Sequence, residues 1–196
     1  MKKILQTALF AVLVVLSYGA SSSVNPRSII KKGTKLIYDV NYMGSSYEFT
    51  ITLRDHADAY TFDWVMSAPA NKKGAVNVSK EAIQNATGIF NYFTSGTEDM
   101  ADQCCIILSS KMYNSFRDNI PIEIYTDKKN NELSIFGNPY DHTQSFGFND
   151  DYSSEFDCRT VSNGSDYQIT YVDDPEFPLI VEMNLGWSMK LRNILN

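Results

Sequence analysis

Alternating apolar and polar side chains form the strongest pattern in the chain, and the alternation begins at Lys35. Three successive runs place an apolar residue at every second position. These positions are Leu36, Tyr38, Val40 and Tyr42 in the first run, Tyr47, Phe49, Ile51 and Leu53 in the second, and Tyr60, Phe62, Trp64 and Met66 in the third. A period of two is that of a β-strand with one buried face. The short links between the runs therefore predict an antiparallel meander of three strands.

A helical period replaces the alternation after Gly74. Apolar residues spaced three and four apart, which mark one face of a helix, follow Ser79. They are Ala82, Ile83, Ala86, Phe90 and Phe93. Ser79 is a suitable N-cap, because its hydroxyl can accept a hydrogen bond from a free amide of the first turn. A second short helix is predicted over 109–118, with Met112, Tyr113 and Phe116 facing inward.

The second half of the chain contains further strand signals. They are an apolar run at 103–108, a hairpin from 122–124 to 133–136, and final strands at 167–171, 179–183 and 187–191. The acidic stretch after 137–139 has few apolar residues, so we expect a long, partly irregular excursion there. Residues 23–196 show no repeat or linker and are predicted to form a single β-rich domain. Its class is mainly β (α+β), an antiparallel sheet with one or two covering helices.

The N-terminus has the three-part pattern of an export signal. Lys2 and Lys3 precede an apolar run from Ala8 to Leu16, and small residues follow the run. A membrane-spanning helix needs about 20 apolar residues, and this run is much shorter. We therefore predict that residues 1–22 are a cleaved signal peptide. The mature chain would then have no transmembrane segment and would be exported to the periplasm, the cell envelope or the extracellular medium.

The charge of the chain argues against nucleic acid as a partner. Its formal net charge is −6, and loss of Lys2 and Lys3 with the signal would bring it to −8. Nucleic-acid binding depends on lysine and arginine side chains that neutralise phosphates, and the sequence has no basic stripe. Between Asp141 and Glu176, nine acidic residues accompany one basic residue, Arg159. That segment is expected to face solvent, a cation or a basic partner.

The three cysteines limit which disulfides and metal sites the chain can form. In an oxidising compartment Cys104, Cys105 and Cys158 allow one disulfide with one thiol left over. A bridge from Cys158 to one of the adjacent pair is the leading prediction. A metal site needs three or four converging ligands, and only His56 and His142 are available to join the cysteines. We therefore predict neither a metal site nor a cofactor.

No motif in the chain carries a catalytic signature. His56 lies between Asp55 and Asp58, and these aspartates favour a hairpin turn over acid–base chemistry. The chain has no Gly-x-Ser-x-Gly motif of a serine hydrolase, and the acids between Asn149 and Asp157 lack the regular spacing of a calcium loop. A glycosidase needs a pair of carboxylates across a cleft, and the sequence nominates no pair.

Aromatic side chains on the predicted meander are the best candidates for a ligand site. A curved sheet lined with such rings can hold an apolar small molecule or lipid, and Phe62 and Trp64 are the candidate ligand-binding residues. The alternative is that the rings form the hydrophobic core, because aromatic residues supply much of the area that a core buries.

The run from Gly33 to Val40, GTKLIYDV, resembles the first strand of an uncharacterised exported bacterial family. That family has a half-barrel fold that is distantly similar to the periplasmic carriers that shield lipoprotein acyl chains. The resemblance implies a curved, half-barrel-like sheet that wraps part-way round helical cover. It also implies a carrier role without catalytic residues.

The sequence leaves three functional hypotheses open. The leading one is a non-catalytic, secreted or periplasmic binding or envelope-associated protein that carries an apolar ligand. The alternative is a hydrolase that acts on an envelope or extracellular polymer with carboxylates from the acidic loops. The third is a structural component that assembles through exposed strand edges. They predict, in turn, an apolar cavity, a polar cleft with paired acids of perturbed pKa, and an unprotected sheet edge.

Overall fold

The computed structural model describes residues 24–55, 60–126, 132–150 and 152–196, without the side chains of 132–135 and 138. The predicted signal peptide, His56 with most of its turn, the acid Asp151 and most of the turn predicted after 126 lie outside the described residues. Within the described residues the fold is mainly β, as predicted, with thirteen strands and three short helices.

The helices are short, and strands make up most of the described chain. The helices are α1 (Pro26–Ile29), α2 (Lys80–Asn85) and α3 (Ser110–Arg117). The strands are β1 (Lys35–Tyr42), β2 (Ser45–Asp55), β3 (Tyr60–Met66), β4 (Lys73–Val78), β5 (Gly88–Ile89), β6 (Gly96–Met100), β7 (Gln103–Cys104), β8 (Ile122–Thr126), β9 (Glu132–Phe148), β10 (Tyr152–Ser162), β11 (Gln168–Val172), β12 (Ile180–Asn184) and β13 (Ser188–Leu195).

The strands follow the spatial order β6-β4-β3-β2-β1-β13-β12-β11-β10-β9-β8-β5-β7. Most neighbouring strands are antiparallel. The parallel pairs are β4–β6, β5–β7, β5–β8 and β9–β13. In the β9–β13 pair, Asn193 lies opposite Gly147 and Ile194 opposite Phe148. Because a twisted sheet coils as strands are added, β9 to β13 close into a small barrel and the remaining strands extend from it. The predicted curved, mainly antiparallel sheet is confirmed, and this part of it curves beyond a half-barrel.

The predicted meander is confirmed at β1, β2 and β3. Tyr38 lies opposite Phe49, and Phe49 lies opposite Met66. Because alternate residues share one face of a strand, the apolar positions of the three strands meet on one side of the sheet. Most of them are buried there, and each such burial stabilises the fold by roughly 1.5–3 kcal/mol. The meander therefore provides a rigid face on which a site can be built.

A fourth strand, β4, continues the meander where the sequence analysis placed the end of the sheet pattern. Gly74 lies opposite Trp64, and a β-carbon at position 74 would come within 2.8 Å of the indole ring. Glycine therefore permits the close approach of β4 to the indole. Val76 and Val78 are buried, so β4 has its own alternation, which the turn residues before it obscured.

Both predicted helices exist, but the first is shorter than predicted. α2 begins after Ser79, whose hydroxyl oxygen accepts a hydrogen bond from the first turn at 3.1 Å. It ends at Asn85, because Gly88 has low helix propensity and lies in β5, where its backbone packs against Tyr125. The apolar residues that follow, including Phe93, belong to a non-helical segment.

The second predicted helix, α3, is confirmed. Ser109 is its N-cap and accepts a hydrogen bond from the amide of Met112 at 3.0 Å. Its predicted inward residues, which include Tyr113 and Phe116, are buried. The hydroxyl of Ser109 also donates to the carbonyl of Ala86 at 2.6 Å. One serine therefore caps α3 and ties it to the end of α2, and α3 lies on β8 and β9 as helical cover.

The prediction of an irregular acidic excursion is wrong. Most of that stretch forms the long antiparallel hairpin β9–β10. Along β10 the buried residues alternate as Ser154, Phe156, Cys158 and Thr160. The hydroxyl of Thr160 forms a buried hydrogen bond of 2.7 Å with that of Thr170 on β11. Because half of the inward positions are small and polar, the alternation is not visible as an apolar pattern.

The predicted disulfide is absent, because Cys104, Cys105 and Cys158 are free and buried. Cys158 lies opposite Val172 on β11, and the amide of Val172 donates a hydrogen bond to the carbonyl of Leu179. Leu179 in turn pairs with Ile107, which follows Cys105 by two residues. Two strand segments therefore lie between Cys158 and the adjacent cysteines. Neighbouring strands are about 4.8 Å apart, so this arrangement separates the Cα atoms by more than a disulfide spans. Burial raises the pKa of all three thiols, and that of Cys105 and of Cys158 to about 12. The thiols are therefore protonated and poorly nucleophilic at neutral pH.

Candidate functional site

A cavity of about 460 Å³ opens beside the turn that joins β1 to β2. We call this cavity the hairpin-end pocket. Its lining residues are Val40, Tyr42, Met43, Ser45, Tyr47, Phe49, Met66, Pro69, Ala70, Lys72, Asn91, Tyr92, Phe93, Trp187 and Met189. Most of these side chains are aromatic or aliphatic, and small-molecule sites typically have volumes of roughly 300–1,000 Å³. The pocket therefore has the size and the lining of a small-molecule site.

The strand register builds one wall of the pocket. Val40 lies opposite Tyr47 on β2 and opposite Met189 on β13, and Phe49 lies opposite Met66 on β3. Directly opposed residues on one face of a sheet have β-carbons about 5 Å apart. These five side chains therefore form a continuous apolar surface across four neighbouring strands.

The segment from Asn91 to Phe93, which follows β5, also lines the pocket. The centroid of the Phe93 ring lies 4.8 Å from that of Phe49, 5.3 Å from that of Trp64 and 5.1 Å from that of Phe90. All three pairs are tilted or edge-to-face, which are the arrangements that aromatic rings prefer. Phe93 is therefore held firmly between the pocket and the aromatic part of the core.

Exposed apolar side chains surround the mouth of the pocket. Met43 is 86% exposed, Tyr92 is 52% exposed and Tyr42 is 49% exposed. Met43 and Gly44 form the two-residue turn between β1 and β2, with φ of +49° and +76°. Asparagine, aspartate or glycine is preferred at both positions of such a turn. Methionine is therefore kept at the mouth of the pocket at a cost to backbone stability.

The two residues predicted to bind a ligand, Phe62 and Trp64, do not line the hairpin-end pocket. Phe62 is fully buried and Trp64 is 1% exposed. Phe62 lies between Leu53 on β2 and Val76 on β4, and Trp64 lies behind the Phe93 ring. The structure therefore places both residues in the hydrophobic core, which was the alternative interpretation of the aromatic pattern.

Lys72 is the one charged side chain among the lining residues, all of which the structure describes. It is exposed, and its backbone carbonyl accepts a hydrogen bond from the amide of Met66 at 2.8 Å, which fixes the turn that carries it. Burial, and to a smaller extent the neighbouring Tyr42, raises the pKa of Tyr47. The Tyr47 phenol is therefore uncharged at neutral pH. The pocket combines apolar walls with a single positive group.

Two of the acidic residues around β9 to β11 bind the same arginine. Arg159 binds Asp141 at 2.7 Å and Asp173 at 3.2 Å, and Asp173 accepts a hydrogen bond from the hydroxyl of Tyr113 at 2.8 Å. His142 is half-buried on β9. Among the described residues, no three His, Cys, Asp or Glu side chains converge as metal ligands.

No protein-family model, curated protein or solved structure matches the chain. In the described part of the chain, no helix combines the length and the apolar character that crossing a membrane requires.

Most of the pocket was not predicted from the sequence, although part of the signal was present. Tyr42 and Tyr47 share the alternation of the predicted core but lie near the end of the hairpin, where Tyr47 is half-buried and Tyr42 is exposed. Met43 in a tight turn is a second signal, since turns favour polar residues. Tyr92 and Trp187 carry no such signal, because only the strand order brings them to β1 and β2.

Proposed function

We propose that this protein is a non-catalytic binding protein that holds an apolar small molecule in the hairpin-end pocket. One observation carries the proposal, namely a cavity of about 460 Å³ whose walls are aromatic and methionine side chains on a fixed strand register. Ligand sites of this kind are concave and mainly apolar, with a few polar groups that orient the ligand.

The mouth of the pocket supports the same proposal. Single exposed apolar residues are ordinary on protein surfaces, but Tyr42, Met43 and Tyr92 all border one cavity. Aromatic rings offer a large contact area, and methionine adapts its shape to irregular ligands. The three side chains are therefore suited to close over the exposed end of a bound apolar molecule.

Export and the likeness to periplasmic acyl-chain carriers stay predictions from the sequence. Both fit the proposed binding role, because an apolar molecule needs a protein to shield it in an aqueous compartment. Neither is needed for the argument from the pocket.

The two rival hypotheses have less support in the described residues. The carboxylates of Asp141 and Asp173 both bind Arg159, an arrangement that suits a structural ion pair better than a hydrolase. β6, at one end of the strand order, carries Glu98 and Asp99. Charges of this kind on an edge strand disfavour pairing with another chain.

Native mass spectrometry of the protein, purified from its own host, tests the proposed function. We expect a bound small molecule that is lost when the protein is unfolded, and we expect the ligand-free protein to take up the uncharged probe N-phenyl-1-naphthylamine. If the purified protein carries no bound mass and the ligand-free protein does not increase the fluorescence of the probe, the proposed function is wrong.

Replacement of Met43 by asparagine should separate stability from binding. Asparagine tolerates positive φ better than methionine, so we expect the free energy of unfolding to rise by up to about 1 kcal/mol. We also expect probe affinity to fall a few-fold, because an apolar group is lost from the mouth. Urea unfolding and probe titration measure the two effects, and Met43→Leu is the control that keeps the apolar group. Unchanged affinity in Met43→Asn would show that Met43 does not contact the ligand.

A further inference from the structure

We propose that the ligand of the hairpin-end pocket is a single-chain anionic amphiphile whose charged head group pairs with Lys72. This inference rests on the proposed function and adds the chemical class of the ligand. The head group can be a carboxylate, a sulfate or a phosphate monoester, since each offers anionic oxygens to an ammonium group. The apolar chain would then lie against Phe49 and Phe93.

In the described part of the chain, the ion pairs involve every arginine and Lys190 but none of the other seven lysines, of which Lys72 alone lines the hairpin-end pocket. All five arginines bind carboxylates, namely Arg27, Arg54, Arg117, Arg159 and Arg192, and Lys190 binds Glu182 at 3.0 Å. No described ion pair involves Lys72, and no acidic side chain lines the pocket with it. A lysine beside an apolar cavity, without an acidic side chain in the same lining, can pair with an external anion.

The acidic residues of β1 and β2 that alternate with the pocket lining are directed away from the pocket. On β1 and β2 the pocket-lining residues alternate with Asp39 and Glu48, so these two carboxylates lie on the opposite face. Both bind Arg192 there. The alternation of the strands therefore keeps the negative charges of this sheet region off the pocket face and leaves Lys72 unopposed.

The polar lining residues are arranged as an amphiphile requires. The buried lining residues are Val40, Phe49, Met66, Phe93 and Met189, which are all apolar. The polar ones, Ser45, Lys72 and Asn91, are exposed or half-buried. An apolar chain bound in the interior would thus present its head group to the outer, polar part of the pocket, where Lys72 carries the only charge.

Displacement of N-phenyl-1-naphthylamine by two matched ligands tests this inference. Dodecanoate and undecan-1-ol carry the same undecyl chain and differ in head-group charge, and the carboxylate is ionised at about pH 8. We expect dodecanoate to displace the probe with about three- to fivefold higher affinity than the alcohol at low salt, as for a solvent-exposed ion pair. Salt should narrow this difference, because counter-ions screen the pair.

Variants of the two adjacent lysines complete the test. Lys72→Met should remove the preference for dodecanoate, and Lys72→Glu should reverse it, whereas Lys73→Met is the control because Lys73 is exposed and does not line the pocket. If the probe binds and the two ligands displace it equally in the unaltered protein, the ligand class is wrong and the proposed function stands. Retention of the preference in Lys72→Met also overturns the inference. If the probe does not bind and the purified protein carries no bound small molecule, both proposals fail.

Discussion

Replacement of Ala70 by tryptophan should abolish binding in the hairpin-end pocket while the protein stays folded. Ala70 is half-buried and lines the pocket between Pro69 and Lys72. An indole group at this position would enter a cavity of about 460 Å³ and fill the space that a ligand needs. We expect the affinity for N-phenyl-1-naphthylamine to fall by about thirtyfold or more, since such sites normally bury most of the ligand surface.

The cost of the Ala70 substitution to stability is expected to be small by comparison. Overpacking a well-packed core costs about 1–3 kcal/mol. Because position 70 faces an existing cavity, we expect the cost of this substitution to be at or below the lower end of that range. Ala101→Trp is the matched control, because Ala101 is exposed and lies outside the pocket. The two variants should unfold at similar urea concentrations. Normal probe binding by a folded Ala70→Trp protein would show that ligands do not occupy this cavity.

The meander was predictable because its strands satisfy a local rule. Each of β1, β2 and β3 packs one face against the core and exposes the other, so a period of two appears directly in the sequence. The same rule failed for β10, since its inward positions include Ser154 and Thr160. The Thr160 hydroxyl can be buried because it forms a hydrogen bond with the hydroxyl of Thr170 on β11. A hydrogen-bond partner on another strand leaves no periodic apolar signal in the sequence.

The length of α2 could not be obtained from periodicity for a similar reason. Phe90 and Phe93 continue the helical spacing, but they are buried by contacts with each other and with β2 and β3, and not by a helix face. The pairing of Gly88 with β7 and β8 competes with the helix and prevails after Asn85. Tertiary contacts of this kind override local propensity.

The candidate site was partly accessible from the sequence. An aromatic-lined apolar site on the meander was predicted. The residues named for it, Phe62 and Trp64, lie in the hydrophobic core and do not line the pocket. Burial depth depends on which strands and segments cover a given face, and alternation says only which face a residue occupies. The covering segment from Asn91 to Phe93 comes from beyond β5, so its position required the structure.

Replacement of Phe62 by alanine should destabilise the protein strongly without a specific effect on ligand binding. Phe62 is fully buried between Leu53 and Val76 on the neighbouring strands. Truncation of such a residue removes its transfer free energy and leaves a cavity, so we expect a loss of about 3–5 kcal/mol in the free energy of unfolding. Urea unfolding measures the loss, and probe titration of the fraction that stays folded should give nearly unchanged affinity.

Tyr42→Ala is the counterpart of Phe62→Ala and should show the opposite behaviour. Tyr42 is half-exposed at the mouth of the pocket, so its truncation should change stability by only about 0.5 kcal/mol while weakening probe binding. The pair of variants thus distinguishes the two interpretations of the aromatic pattern. If Phe62→Ala abolishes probe binding at nearly unchanged stability, Phe62 belongs to a ligand site after all and the core assignment is wrong. If each variant affects only its expected quantity, the aromatic side chains divide into a structural layer and a binding layer that share the Phe49 and Phe93 rings.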